Sequence, residues 1–139
     1  MLKRITCLTA LAVSLVLNAS ADSLTRSYPP PFEAFQTIAQ QTDAGWQIDV
    51  QVLPGYYLYV KDFQPSIVQA SDSRSLQWTL PELDRVQDPL RGDIEVMRDR
   101  FVTAIETPTD GELWLALQGC ADSGFCYPPE KRLLAIISE

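Results

Sequence analysis

Strict alternation of apolar and polar residues begins just after Gly45. Trp46, Ile48, Val50 and Val52 alternate with Gln47, Asp49 and Gln51, which predicts a strand with one buried face. Pro54-Gly55 is a turn signal, and the aromatic-rich run from Tyr56 to Val60 reads as the next strand. Alternation there sets Tyr57 on the face opposite Tyr56 and Leu58. Leu76, Trp78 and Leu80 alternate again. Ile94 to Arg98 and Phe101 to Ile105 are two closely spaced runs. Asp110-Gly111 is a strong turn signal, after which Leu113, Leu115 and Leu117 share one face, and an apolar strand from Lys131 to Ile137 closes the chain. Phe32 to Gln41 fits either a short helix or a strand. Trp46, Trp78 and Trp114 are expected in the core. About seven or eight short strands, with no sustained helical period, predict an all-β fold. A two-sheet sandwich is the natural way to cover the apolar faces.

The first residues have a different pattern. Lys3 and Arg4 precede an apolar run from Leu8 to Leu17, and Ala19-Ser20-Ala21 fits a signal-peptidase site. The order and lengths are those of a cleaved secretory signal over residues 1–21, since the apolar run is too short to span a bilayer comfortably. Residues 22–31, with Pro29-Pro30-Pro31, read as a flexible or extended leader, and 32–139 as a single domain. The expected location is therefore the periplasm, with no membrane insertion once the signal is removed. The chain carries a net charge of −7 and no histidine. Lys3 and Arg4 belong to the expected signal, so the remainder is more acidic still. That balance argues against nucleic acid or an anionic membrane surface as a partner. The missing histidine removes the commonest general base and the commonest transition-metal ligand.

Two cysteines lie beyond the expected signal, Cys120 and Cys126. In an exported protein two cysteines so close are usually able to pair, but spacing alone leaves their purpose open. A stapling disulfide closing so short a loop gives only about 2.4 kcal/mol, and a domain of this size buries enough surface not to depend on it. A metal centre is disfavoured, because zinc takes four ligands and only two thiols and no imidazole are offered. The surroundings favour exchange chemistry. Gly119 and Gly124 permit tight backbone geometry, and Pro128-Pro129 stops the segment from continuing as a ladder strand. Phe125 and Tyr127 flank Cys126 and could limit solvent access. Asp122 is expected to disfavour a thiolate beside it.

The run Gln118-Gly119-Cys120-Ala121-Asp122-Ser123-Gly124-Phe125-Cys126-Tyr127-Pro128-Pro129-Glu130 resembles the active-site segment of the N-terminal periplasmic domain of DsbD, the thiol:disulfide interchange family. Gly55-Tyr56-Tyr57-Leu58-Tyr59 resembles the family's aromatic strand, and Arg98-Asp99-Arg100 its segment after the loop that covers the cysteines. The resemblance runs from about Phe32 to Ile137. It implies an immunoglobulin-like β-sandwich and a Cys120/Cys126 pair that cycles between dithiol and disulfide, with no cofactor beyond that redox-active disulfide. It also implies protein-disulfide reductase activity that takes two electrons from a membrane-bound dithiol donor. The implied acceptors are thioredoxin-fold periplasmic proteins, such as a disulfide isomerase and factors of cytochrome c maturation. Cys126 would form the mixed disulfide and Cys120 would resolve it. Tyr57 and Tyr59 are candidate neighbours of the pair.

The sequence departs from the family pattern in the covering loop, here Asp88-Pro89-Leu90-Arg91-Gly92. Leu90 stands where the family has Phe, and Arg91 where it has Tyr. Leu90 is expected to shield the sulfurs by apolar contact, over less area than a ring; an ordinary Pro/Gly turn is the plainer reading. The chain ends at Glu139 without the family's membrane and thioredoxin-like domains, so the donor is expected on a separate polypeptide unless the chain is a fragment or redox relay is not its role. A competing reading is a non-enzymatic immunoglobulin-like binding module whose disulfide only stiffens a loop. A metal-chaperone role, resting on paired thiols near acidic residues, is a weaker third.

Overall fold

The computed structural model describes residues 27–138. In chain order these form α1 (Pro31–Ala34), β1 (Phe35–Thr42), β2 (Gly45–Val52), β3 (Tyr56–Tyr59), β4 (Gln64–Gln69), β5 (Asp72–Ser75), β6 (Asp84–Asp88), β7 (Gly92–Met97), β8 (Arg100–Ala104), β9 (Gly111–Leu117), β10 (Gly119–Ala121) and β11 (Glu130–Ile137). The expected signal and residues 22–26 of the expected leader lie outside the described residues. All pairings are antiparallel, in three sheets ordered β1-β2-β8, β10-β3-β7-β6 and β11-β9-β4-β5. The fold is all-β and immunoglobulin-like. Its hydrogen-bonded ladders fall into three groups rather than the two expected, because the chain leaves the first sheet at the Pro54-Gly55 turn and β3 pairs elsewhere.

The ambiguous segment at residues 32–41 is both things in succession. Pro31 opens one helical turn and Phe35 starts β1. Four strands, β4, β5, β6 and β10, have patterns too weak to predict from the sequence. Pro65 argues against a central strand such as β4, and is accommodated because it stands near the strand start. β5 is exposed throughout, β6 has one half-buried apolar residue, and β10 has three residues. The expected strand through Leu76, Trp78 and Leu80 is reduced to an isolated bridge between Trp78 and Ile105. Pro81 follows directly and cannot donate to a ladder.

The main core gathers Phe35, Ile48, Val50, Leu58, Phe63, Met97, Leu113 and Leu115, all essentially solvent-free. Burying each large aliphatic or aromatic side chain of this kind contributes about 1.5–3 kcal/mol. Trp46 and Trp78 pack against this core half-buried. Trp114 alternates with Leu113 and Leu115, so it lies on the other face of β9, and its indole N–H donates to Glu112 Oε2 at 2.9 Å.

β3 positions the site. Tyr56 and Leu58 face the main core, while Tyr57 and Tyr59 face a second, smaller cluster with Val96 and Cys120. Val86, Ile94 and Cys126 pack at its edge. The strand is thus a wall with fold on one side and sulfur on the other.

Candidate functional site

Cys120 sits in β10, paired with Tyr57 of β3. The chain leaves at Ala121, turns, and returns so that Cys126 bridges Cys120 antiparallel, their Cα atoms 4.0 Å apart and their sulfurs joined as a disulfide. The turn is closed by Ala121 N–H to Phe125 O at 2.7 Å and Gly124 N–H to Ala121 O at 2.9 Å. Gly124 has a φ of 101°, a conformation that L side chains rarely adopt. Cys120 is fully buried and Cys126 is part-exposed, so an incoming group meets Cys126 first.

Against the sulfurs stands a buried polar cluster. The Tyr59 hydroxyl lies 2.9 Å from Cys120 Sγ and 3.8 Å from Cys126 Sγ. A disulfide sulfur has no proton to give, so any donation runs from the phenol. The same hydroxyl donates to Asp88 Oδ2 at 2.7 Å, and the Tyr57 hydroxyl donates there at 2.6 Å. Asp88 Oδ1 accepts the backbone N–H groups of Leu90 and Arg91 at 2.8 and 2.7 Å. One buried carboxylate thus holds two site phenols with one oxygen and the covering loop with the other. Burial pushes the Asp88 carboxyl up, but the hydrogen bonds from Tyr57, Tyr59, Leu90 and Arg91 outweigh it and leave it below its ordinary value. Burial first, then the bond to Asp88, pushes both phenols well above the usual tyrosine range, so they act as neutral donors.

The covering segment 88–92 is the β6–β7 hairpin, with Asp88 paired to Gly92 and Pro89, Leu90 and Arg91 as the loop. Leu90 does not shield the sulfurs: it is 73% exposed and stands outside the cluster around the disulfide. The loop residue that meets the site is Arg91, through Tyr59. Its guanidinium lies 3.7 Å from the Tyr59 ring centroid and pairs with Asp62 at 2.5 Å. The loop thus contributes a cation stacked on the Tyr59 ring.

The other candidates are distributed as follows. Asp122 has a charged partner of its own. Its carboxylate is paired with Arg98 at 2.7 Å, so its charge is largely compensated. The carboxylate that bears on the sulfurs is Asp88, whose candidate ligand oxygen lies with both Sγ atoms inside a 4.8 Å cluster. Those three atoms form a candidate metal-ligand group, but the sulfurs are bonded to each other and both Asp88 oxygens are hydrogen-bonded. Phe125 is 38% exposed beside Cys126. Tyr127 belongs to the main core, against Phe35 and Tyr56. Burial, then Tyr56, pushes its hydroxyl up to about 12.

Arg98 is a residue whose role the sequence did not reveal. It donates to Asp84, to Asp122 and to Tyr56 O, and lies over the Tyr57 ring at 5.3 Å. It ties the end of β7 to the cysteine turn. Arg98→Ala should lower stability by about 1 kcal/mol, since Asp84 and Asp122 are half in solvent and their pairing is partly screened. Denaturant midpoints at two salt concentrations check this, and a loss that does not shrink with salt would count against the ionic explanation.

The family model described as the N-terminal part of thiol:disulfide interchange protein DsbD matches residues 25–138. The chain belongs to the DsbD N-terminal family. Among curated relatives, the DsbD of Klebsiella pneumoniae is 33% identical over 113 residues, covering 79% of this chain and 18% of the relative. The DsbD of Photorhabdus laumondii is 32% identical over 145 residues, covering 98% of this chain and 25% of the relative. The chain therefore spans a quarter or less of these relatives. The fold matches the DsbD N-terminal domain of Neisseria meningitidis in its reduced form, with a TM-score of 0.62 at 22% identity over 79% of this chain and 90% of that one. It also matches a structure of the complex between the DsbD and PilB N-terminal domains of that organism, with a TM-score of 0.59 at 23% identity over 80% of this chain and 88% of that one. Among the described residues of this DsbD-type domain, no helix is long and apolar enough to cross a membrane.

Proposed function

We propose that the chain is a periplasmic thiol–disulfide exchange domain, a protein-disulfide reductase that relays two electrons through Cys120 and Cys126. The observation that carries this reading is the asymmetry of the pair, with Cys126 part-exposed and Cys120 buried against Tyr59 and Asp88. In the reduced protein the Cys126 thiolate attacks a partner disulfide. A mixed disulfide forms and one partner thiolate leaves. The Cys120 thiolate then attacks Cys126 Sγ, the Cys120–Cys126 bond forms, and the second partner thiolate is expelled. Two electrons pass to the partner, and its thiolates take up the protons given up by the two cysteines. A dithiol donor reverses these steps and resets the pair, so no further cofactor is needed.

Thioredoxin-fold periplasmic proteins are the proposed acceptors, among them a disulfide isomerase and a cytochrome c maturation factor. A separate membrane-bound dithiol protein is the proposed donor. That a relative has been solved with the PilB N-terminal domain supports a protein partner. The test is trapping. Cys120→Ser, mixed with an oxidised disulfide isomerase of thioredoxin fold, should give a reducible adduct through Cys126, located by mass spectrometry, and Cys126→Ser should give none. No adduct, together with a reduction potential below about −300 mV, would mark the bridge as structural.

A further inference from the structure

We infer that Tyr28 is a positioning residue for Cys126, holding closed the turn on which that sulfur is carried. The inference rests on the exchange reading above, in which Cys126 is the sulfur an incoming group must reach.

The turn 121–125 has few attachments of its own. Asp122 is held from one side by Arg98 and by its N–H to Gly55 O at 2.8 Å. The opposite side is held from the N-terminal segment. The Tyr28 ring stacks on Phe125, with centroids 4.2 Å apart and planes 14° from parallel, and the Tyr28 hydroxyl meets Ser123 Oγ at 2.9 Å. Phe125 immediately precedes Cys126 and also touches Tyr127 edge-on at 4.9 Å. Tyr28 therefore grips the turn at two points, one of them adjacent to the reactive sulfur.

The grip is anchored. Tyr28 packs against the main core, and the next residue, Pro29, accepts the Tyr127 hydroxyl at 2.6 Å. Pro30 O accepts the N–H groups of Glu33 and Ala34, fixing the segment to the start of α1. Three successive prolines restrict φ at 29–31, so the segment is ordered at little entropic cost. The part of the expected leader that is described is thus extended but docked, and it ends on the cysteine turn.

An offset-stacked ring pair and one hydrogen bond oppose any opening of this turn. Their loss should let the turn open more often and expose Cys126. The experiment measures reduction of the oxidised protein by dithiothreitol under native conditions, with amide exchange at Ala121 and Gly124. Tyr28→Ala should be reduced about tenfold faster, with both amides exchanging faster. Tyr28→Phe, which keeps the stack, and Ser123→Ala, which removes only the hydroxyl contact, should each stay within about twofold of the parent. Ile48→Val, in β2 of another sheet, supplies a general destabilisation and should leave the reduction rate unchanged. Equal rates for Tyr28→Ala and the parent, or a rise in Ile48→Val as large as in Tyr28→Ala, would overturn the inference. Should the parent trap a thioredoxin-fold partner while Tyr28→Ala is silent, the positioning role alone fails. Should no partner be trapped while Tyr28→Ala is faster, the exchange reading fails and the positioning role stands.

Discussion

Asp88→Ala is expected to lower the stability of the oxidised protein by about 3 kcal/mol, because it leaves two buried phenols without their acceptor. Tyr57 and Tyr59 are both nearly solvent-free, and both donate to the same oxygen. The Leu90 and Arg91 N–H groups lose their acceptor too, although in an exposed turn water partly replaces it. Denaturant unfolding checks the value, a lower midpoint at unchanged slope being the signature. The pH dependence is sharper. The folded Asp88 carboxyl lies below its ordinary value, so the unfolded chain takes up this proton first on acidification. Its contribution is then complete above about pH 4 and is lost as pH falls further, through the folded value. Asp88→Asn keeps the shape without the titration, so its stability should fall less steeply below pH 4 than the parent's. Parallel acid profiles would remove Asp88 as the titrating group. A second readout concerns the chemistry. A carboxylate so near both sulfurs opposes negative charge on either, so reduced Asp88→Asn should be alkylated faster at neutral pH.

Gly119→Ala should cost about as much for a steric reason. A Cβ there would lie 2.3 Å from Tyr57 O and 2.5 Å from Phe35 Cζ. The first obstacle is backbone, so no rotamer change relieves it, and β10 must move away from β3. Cys120 is the next residue and pairs with Tyr57 itself, so the displacement reaches the sulfur directly. The expected loss is about 3 kcal/mol, a melting temperature lower by roughly 10 °C. Gly124→Ala is the comparison. Nothing lies within 4 Å of its Cβ position, and only the positive φ opposes it, so its loss should be about 1 kcal/mol. Equal melting temperatures for Gly119→Ala and the parent would show that β10 can shift without penalty.

The two-residue period made β2 and β9 legible, because each has one face in the main core and the other outside it. It fails where burial is slight or absent: β5 buries nothing, and in β6 Val86 is half-buried and the one buried residue is Asp88. The cysteines were legible from local residues, since both lie in one short turn. The polar cluster was not. Asp88 is 31 residues from Tyr57 and 29 from Tyr59, and an aspartate before Pro89 reads as a turn former, which it also is. Its second oxygen does the work that no local pattern announces. Asp122 stands out by its adjacency to the pair, yet the partner of its carboxylate is Arg98, 24 residues away in sequence. The apolar character of Leu90 suggests a shield. In a three-residue hairpin loop whose N–H groups are tied inward to Asp88, its side chain is left to solvent.

Because β3 shows alternate residues to the core and to the sulfurs, the two properties can be altered separately by substitution but not by insertion. Exchanges at Tyr57 and Tyr59 retune the chemistry while Tyr56 and Leu58 keep their packing. Deleting one residue from the strand would swap the two sets, sending phenols into the hydrocarbon and aliphatic carbon to the disulfide. The length of β3 between the Pro54-Gly55 turn and Tyr59 is therefore fixed by both faces at once, although each face tolerates exchange at single positions.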